Sequence, residues 1–534
     1  MTKIAKESAA SEPTGGAVAA GHEETVGAAR TILEVGGNAF DAAIAASLMA
    51  CVAEPVLASL GGGGFLLARP ESGESAVFDF FAQTPRRRSA PTDSSFFEIN
   101  ADFGRTTQAF HIGVGASATP GFIPGMFEVW RRHGSLPMTV IAEPAISAAR
   151  RGVRVTAYQG YLFGVVSPIY SHDPASLACF GGSSADGLVA EGDVLANPEL
   201  AAAIELLARD GERSARDGDL ARAMVQTCLL HGGHLRADDL ETYSVEIREP
   251  LCFDFRGHRI ATNPPPSSGG ILIAFGLGLL EQAGVAAAGP VGWDDWIRIM
   301  SLTFEARQTV HDGEHGATGH DLLRPAVLEA YARKLAAHPP SYRGTTHISV
   351  VDGRGNAATV TLSNGEGSGI MVPGCGFMLN NMLGEEDINP RGLGIWPEDT
   401  RMSSMMAPTL IDGPAGEVTA LGSGGSNRIR TAMMQVIERV TRPECDLASA
   451  ILAPRLHVEG RNLFFEESAA GDGPAAGNRI AGIAGVEIDN VSCFDERNMF
   501  FGGVHAVRVA ADGRHFDAFG DERRAGCAAV LSAG

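Results

Sequence analysis

The residues of this chain whose types and spacing could do chemistry converge on Gly344-Thr345-Thr346-His347. The alternation that follows, Ile348 to Asp352, is that of a β-strand, which would put a threonine hydroxyl at the mouth of a sheet. On its own the triplet is a turn followed by two β-formers. Competing sites are weaker. His311, His315 and His320 fall in a Gly- and Asp-rich stretch with no paired ligand motif, so a solvated loop is expected there and no metal. No G-x-S-x-G elbow and no G-x-x-x-x-G-K-S/T phosphate loop occurs, and no cofactor is expected.

The elements that must hold Thr345 follow from periodicity and chain breakers. The turn Gly353-Arg354-Gly355-Asn356 joins the first strand to a second β-rich run, Ala357 to Leu362, giving a hairpin. Helices are expected from Glu23 to Val35 and from Asn38 to Val52, the second stopped before Glu54-Pro55. Gly61 to Gly64 feeds a strand, Phe65 to Ala68, and four glycines in a row imply a backbone pressed against something. Residues up to about Ala20 are expected to form a loosely tethered arm. Phe81 to Phe110 is expected to be a long connection. From Gly121 to Leu240 the chain is mostly helical, including Pro198 to Ala208 and Leu220 to His231. Strands return at Leu251 to Phe255 and Arg259 to Ala261. Helices follow at Ile271 to Gln282, Trp293 to Gln308 and Pro325 to Ala337, then a linker from His338 to Gly344, and further helices at Ile429 to Arg439 and beyond Asp446.

Length allows two or three domains, and with 45% hydrophobic and 20% charged residues a sizeable core can be buried. The net charge of −21 disfavours nucleic acid and anionic membrane as partners. The longest early apolar run, Ala39 to Ala53, is too short to span a bilayer. Eight scattered cysteines without metal spacing suggest free thiols, and no apolar segment follows the two N-terminal lysines, so a cytoplasmic location is expected.

Several stretches resemble the gamma-glutamyl transpeptidases, N-terminal-nucleophile hydrolases made as one precursor that cuts itself before a Thr-Thr-His. They run in family order: Gly36-Gly37-Asn38-Ala39 with Asp41, Glu54-Pro55, Gly61 to Leu67, Pro264 to Gly270, Thr345-Thr346-His347, Leu379-Asn380-Asn381, Ala453-Pro454-Arg455 and Asp521 to Gly526. The resemblance implies a four-layer αββα sandwich built from two fragments, 1–344 and 345–534. These would remain together as a heterodimer of the chain's own parts, with higher oligomers left open. It also implies cleavage between Gly344 and Thr345, and a small-molecule amide substrate such as glutathione or another γ-glutamyl compound.

In such an enzyme the freed threonine supplies both the attacking hydroxyl and, in its α-amine, the base. The resemblance places Thr361 beside that amine. It puts the oxyanion loop at Gly422 to Arg428, with the family's two adjacent glycines falling on Gly425 and Ser426. The substrate-reading positions depart from the pattern. Phe81 stands where the family has a carboxylate-binding arginine, and a phenyl ring cannot replace a bidentate guanidinium. Arg86, Arg87 and Arg88 are close in sequence but are expected to form a solvated turn. Ser363 replaces an asparagine, with Asn364 next to it; Met382 replaces a glutamine; Glu385 falls on the ammonium-binding acid; and only Ser404 of the serine pair is in register. Two acyl groups therefore stay open, γ-glutamyl or another carboxamide. A chain that never cleaves and serves as a scaffold is the alternative from a different class.

Overall fold

The computed structural model describes residues 15–89, 94–102, 107–285, 289–311, 322–323, 344–389, 392–467 and 488–532. Two antiparallel sheets lie face to face. The first has the order Cys527–Leu531, Gly16–Ala20, Thr346–Asp352, Ala357–Ser363, Gly63–Arg69, Ala76–Phe80, Glu246–Arg248. The second runs Phe516–Phe519, Gly503–Val509, Val418–Gly424, Thr409–Asp412, His258–Thr262, Leu251–Phe255. Both sheets contain strands from before and from after Gly344, so neither half of the chain could complete a sheet alone.

Period-two alternation sets the layers. Val18, Ala20, Ile348 and Val350 join a core with the helices Glu23–Glu34 and Ala39–Ala53. Ala17, Ala19 and Val351 join the core of the second sheet, whose far side is covered by the helices Gly269–Gln282, Trp293–His311 and Arg428–Val440. The four layers are α, β, β, α, as the resemblance implies.

The helix Ala39–Ala53 clamps the strand that begins at Thr346. All 15 of its residues are buried, and its N-terminus is closed by a capping box between Asn38 and Asp41. At that end the Ala39 N–H donates to Asp352 Oδ2 at 2.9 Å, the last residue of the strand. At the other, Thr346 Oγ1 donates to Glu54 Oε2 at 2.7 Å. A helix of that length spans about 22 Å at 1.5 Å per residue, and a seven-residue strand about 23 Å at 3.3 Å per residue. The matched lengths let one helix hold both ends of the strand Thr346–Asp352. Glu54 is fully buried, and desolvation raises its pKa against the lowering by His22, Thr346 and Thr25.

Two expectations change. Gly16–Ala20 is no loose arm: it is an inner strand paired with Thr346–Asp352 on one side and Cys527–Leu531 on the other. Its small residues gave no strong periodic signal, yet they fit where two sheets and a helix close in. The segment between Phe81 and Phe110 is not only a connection, because Phe97–Asp102 pairs with Thr107–Ile112 as a hairpin. The expected helix from Pro325 to Ala337, most of the linker before Gly344, His315 and His320 lie outside the described residues. Among the described residues no cluster is placed to hold a metal, no helix is long and apolar enough to cross a membrane, and the eight cysteines are free thiols.

Candidate active site

Thr345 is 5% exposed and stands where the hairpin meets the second sheet. Its Oγ1 lies 2.8 Å from the carbonyl oxygen of Gly344, and the Ser363 hydroxyl donates to that same oxygen at 2.9 Å. On the other side of Gly344, its N–H donates to Glu366 Oε1 at 3.0 Å. Gly344 is thus held through both its N–H and its carbonyl, beside a hydroxyl. Register explains why Ser363 is there: Thr346 pairs with Leu362, so the next positions outward, 345 and 363, meet at the mouth of the hairpin. Ser363→Ala removes one donor from the Gly344 carbonyl. Loss of a comparable donor costs about 10²-fold or more in rate, so chain cleavage, followed on denaturing gels after expression, should slow by that order.

The glycine run is explained by close approach. A Cβ on Gly62 would come within 2.5 Å of the Ser363 carbonyl oxygen, and one on Gly64 within 2.3 Å of that of Thr361. Side chains there would push the strand bearing Ser363 out of register.

Behind Thr345 the inter-sheet layer is polar. His347 Nδ1 pairs with Thr361 Oγ1 at 2.8 Å, and its Nε2 with Ser349 Oγ at 2.9 Å. Thr361 is fully buried and in register with His347, so its hydroxyl is fixed by the imidazole one step below the nucleophile. Burial pushes His347 well below its ordinary value of 6.5, with His505 adding to the effect, so it stays neutral. The sign for stability follows. An unfolded chain takes up the proton near pH 6.5 and the folded one resists it, so stability is present above that pH and lost as pH falls below it. The urea midpoint should drop between pH 7.5 and pH 5 in wild type, and less in His347→Gln, by up to ~1.4 kcal/mol per pH unit for this one group.

The strand Val418–Gly424 delivers a loop beside Thr345. Gly424 passes so close that a Cβ would sit 2.1 Å from the Thr345 carbonyl oxygen. Gly425 (φ +124°) and Ser426 (φ +50°) then turn the chain through left-handed conformations into the helix Arg428–Val440. Glycine adopts this readily; serine at φ +50° does not, and needs support. Ser426 Oγ donates to Asp387 Oδ2 at 3.0 Å, and Asn427 Nδ2 donates to Glu459 Oε1 at 2.7 Å. Arg307 lies between these two carboxylates, 3.9 Å from each.

Phe81, Thr345, Ser363, Glu385, Ser404 and Ser426 line one small chamber of about 30 Å³. Three expected residues are not in its wall. Thr361 is buried beneath it on His347, Gly425 packs against Gly502 and Arg524, and Asn364 faces a separate small cavity beside Tyr170 and Phe180. The step from Ser363 to Asn364 turns the side chain to the opposite face of the strand's end, which neighbourhood in sequence does not show.

Phe81 stacks on Phe65 with centroids 5.4 Å apart. Its backbone is tied down on both sides: its N–H donates to Asp79 Oδ1 at 3.1 Å, and Tyr243 Oη donates to its carbonyl at 2.7 Å. Arg401 Nη1 is 2.7 Å from Asp79 Oδ1 and Arg248 Nε 2.8 Å from Asp79 Oδ2, so both guanidiniums near position 81 are committed to one buried carboxylate. Arg86, Arg87 and Arg88 hold surface partners, Asp399, Asp238 and the Gly394 carbonyl, and none lines the chamber. The guanidinium that does line it, Arg307, comes from the helix Trp293–His311. Nothing in the spacing of that helix marks Arg307; only tertiary packing brings it in.

The fold, with a threonine at the head of a central strand and a left-handed glycine-serine turn beside it, is that of the N-terminal-nucleophile amide hydrolases. The family profile described as gamma-glutamyltranspeptidase matches residues 25–531, and this chain belongs to that family of hydrolases and transferases. The acylase ACY 1 proenzyme of Pseudomonas sp. (strain V22) is 30% identical over 85% of this chain and 84% of its own. The glutathione hydrolase proenzyme of Escherichia coli (strain K12) is 31% identical over 80% of this chain and 78% of its own. The crystal structure of cephalosporin acylase from Bacillus halodurans superposes with a TM-score of 0.81 at 20% identity, covering 97% of this chain and 96% of that one, a likeness of fold.

Proposed function

We propose that the chain cuts itself between Gly344 and Thr345 and then works as an amide hydrolase or acyltransferase through the new N-terminal threonine. The observation that carries this is the pair of hydroxyls, Thr345 and Ser363, on the Gly344 carbonyl oxygen. In the first step Thr345 Oγ attacks the Gly344 carbonyl carbon, the C–N bond breaks, and the nitrogen takes a proton to become the α-amine. Water then opens the Gly344 ester. In turnover the α-amine accepts the hydroxyl proton, the acyl group passes to Oγ, and the amine half leaves with that proton. Water or a second amine releases the acyl group. We assign the backbone N–H groups of the Gly425–Ser426 turn to the developing oxyanion. Thr361, oriented by neutral His347, supports the amine.

The acyl group this site favours is not a plain γ-glutamyl group. The wall that would meet an α-carboxylate carries Phe81, and Arg401 behind it is held by Asp79. The similarity to an acylase as well as to a glutathione hydrolase supports the same reading. Processed protein should therefore hydrolyse the p-nitroanilide of an uncharged acyl group, such as butyryl, with a higher kcat/KM than γ-glutamyl p-nitroanilide. The reverse order would overturn the acyl assignment, and a single uncut band on a denaturing gel would overturn the enzyme mechanism itself.

A further inference from the structure

A second chamber opens on the opposite side of Gly344. It has a volume of about 480 Å³, the size range of sites for drug-sized molecules. Leu57, Leu162 and Val165 give one wall, from the part of the chain before Gly344, and Phe494, Met499 and Phe500 give the other, from the part after it. The Phe494 and Phe500 rings are stacked, 5.2 Å between centroids and 16° between planes. Tyr161 stands at the rim, 46% exposed. Asp495, Glu496 and Asn498 also line it, on the segment that carries the aromatic wall, and further polar groups gather at the Gly344 end. There Glu366 accepts the Gly344 N–H, Arg524 Nη1 donates to the Thr345 carbonyl at 3.3 Å, and the Arg428 guanidinium lies 5.2 Å from the Phe500 ring centroid.

Gly344 is the residue both chambers share. An acyl carbonyl has to reach Thr345 Oγ and the Gly425–Ser426 turn together. The small chamber is lined by Thr345 and Ser426; the large one is lined by neither. The carbonyl therefore belongs in the small chamber, and the large chamber, reached past Gly344, has room for the substituent on the amide nitrogen. Resting on the amide-transfer reading above, we infer that the large chamber is the site of the amine half of the substrate, and that it selects amines with an apolar body the size of a fused aromatic ring system. A site for ammonia or a single small amino acid would gain nothing from apolar walls of this extent, whereas burying an aromatic body adds roughly 25 cal/mol per Å² of apolar surface.

The probe is 2-naphthylamine, followed by its own fluorescence on the purified protein as it stands. Binding to this chamber does not require turnover, so it is separable from the fate of the mechanism. Saturable binding is expected, weakened at least tenfold in Leu162→Trp, which fills the chamber from one wall, and in Leu57→Trp, which fills it from a different segment. Tyr161→Ala, at the exposed rim, tolerates folding and should weaken binding severalfold. With a common butyryl group, the ratio of kcat/KM for the naphthylamide to that for the methylamide should fall about tenfold in whichever filling variant folds. Absence of saturable binding, or binding equal to wild type in Tyr161→Ala and in the folded filling variants, would overturn the assignment.

Discussion

Thr345→Ala should leave a single polypeptide of 55.7 kDa where wild type is expected to yield two fragments, and should abolish amide turnover. Alanine has no oxygen to attack the Gly344 carbonyl, and without cleavage no α-amine exists to act as base, so nucleophile and base disappear together. The loss expected for removing such a unit is at least ~10⁴-fold. Folding should survive. The contact that Thr345 Oγ1 makes is to the carbonyl of its own neighbour, while the strand is held elsewhere, by Glu54 on Thr346 and Asp352 on Ala39. Thr345→Ser restores the hydroxyl and should restore both fragments, more slowly, because the freed methyl no longer biases the rotamer. Mass spectrometry of the smaller fragment decides the site: its N-terminus must be residue 345. Two fragments from Thr345→Ala would mean that the cut is made by another group or at another bond.

The parts of this arrangement that depend on local pattern were legible before the structure. Helix Ala39–Ala53 announces itself by its stop at Glu54-Pro55, and the hairpin that begins at Thr346 by alternation on either side of a glycine turn. The pressure behind the four glycines could be inferred, though not that Ser363 and Thr361 supply it. What could not be read is chemistry assembled across sequence distance. Arg307, Asp387 and Glu459 converge on the turn Gly425–Asn427 from three segments, and each looks like an ordinary surface charge in its own neighbourhood. The placement of Asn364 was illegible for the complementary reason. It adjoins Ser363 in sequence, and one residue of β-structure is enough to send its side chain to another cavity. Gly16–Ala20 was missed because a strand of glycine, alanine and valine is specified by the crowding of its neighbours rather than by its own propensity.

The C-terminal motif leads to the largest expected effect on stability. Arg455, Glu466, Asp521 and Arg523 form a cluster with every side chain fully buried. Arg455 Nη2 is 2.6 Å from Asp521 Oδ2, Arg523 Nη1 is 3.2 Å from Asp521 Oδ1, and Arg523 Nη2 is 2.5 Å from Glu466 Oε2. Burial alone would raise the pKa of Asp521, and Arg455 and Arg523 outweigh it, so the carboxylate is held below its ordinary range. Its stabilisation is therefore present at neutral pH and lost as pH falls through that depressed value. Asp521→Ala leaves two guanidiniums facing one remaining carboxylate with no water to screen them, and breaking a buried pair in this way costs about 3–5 kcal/mol. The same carboxylate accepts the Val504 N–H at 2.9 Å and the Arg523 N–H at 3.1 Å, so the turn that carries Arg524 to the Thr345 carbonyl loosens with it. Asp521→Ala should thus lower the thermal midpoint and slow chain cleavage together. Asp521→Asn, which keeps an acceptor but not the charge, should fall between it and wild type. A thermal midpoint for Asp521→Ala within about 2 °C of wild type, on a protein this size where 1 kcal/mol already moves it by about that much, would show that the cluster does not hold the C-terminal turn against the nucleophile strand.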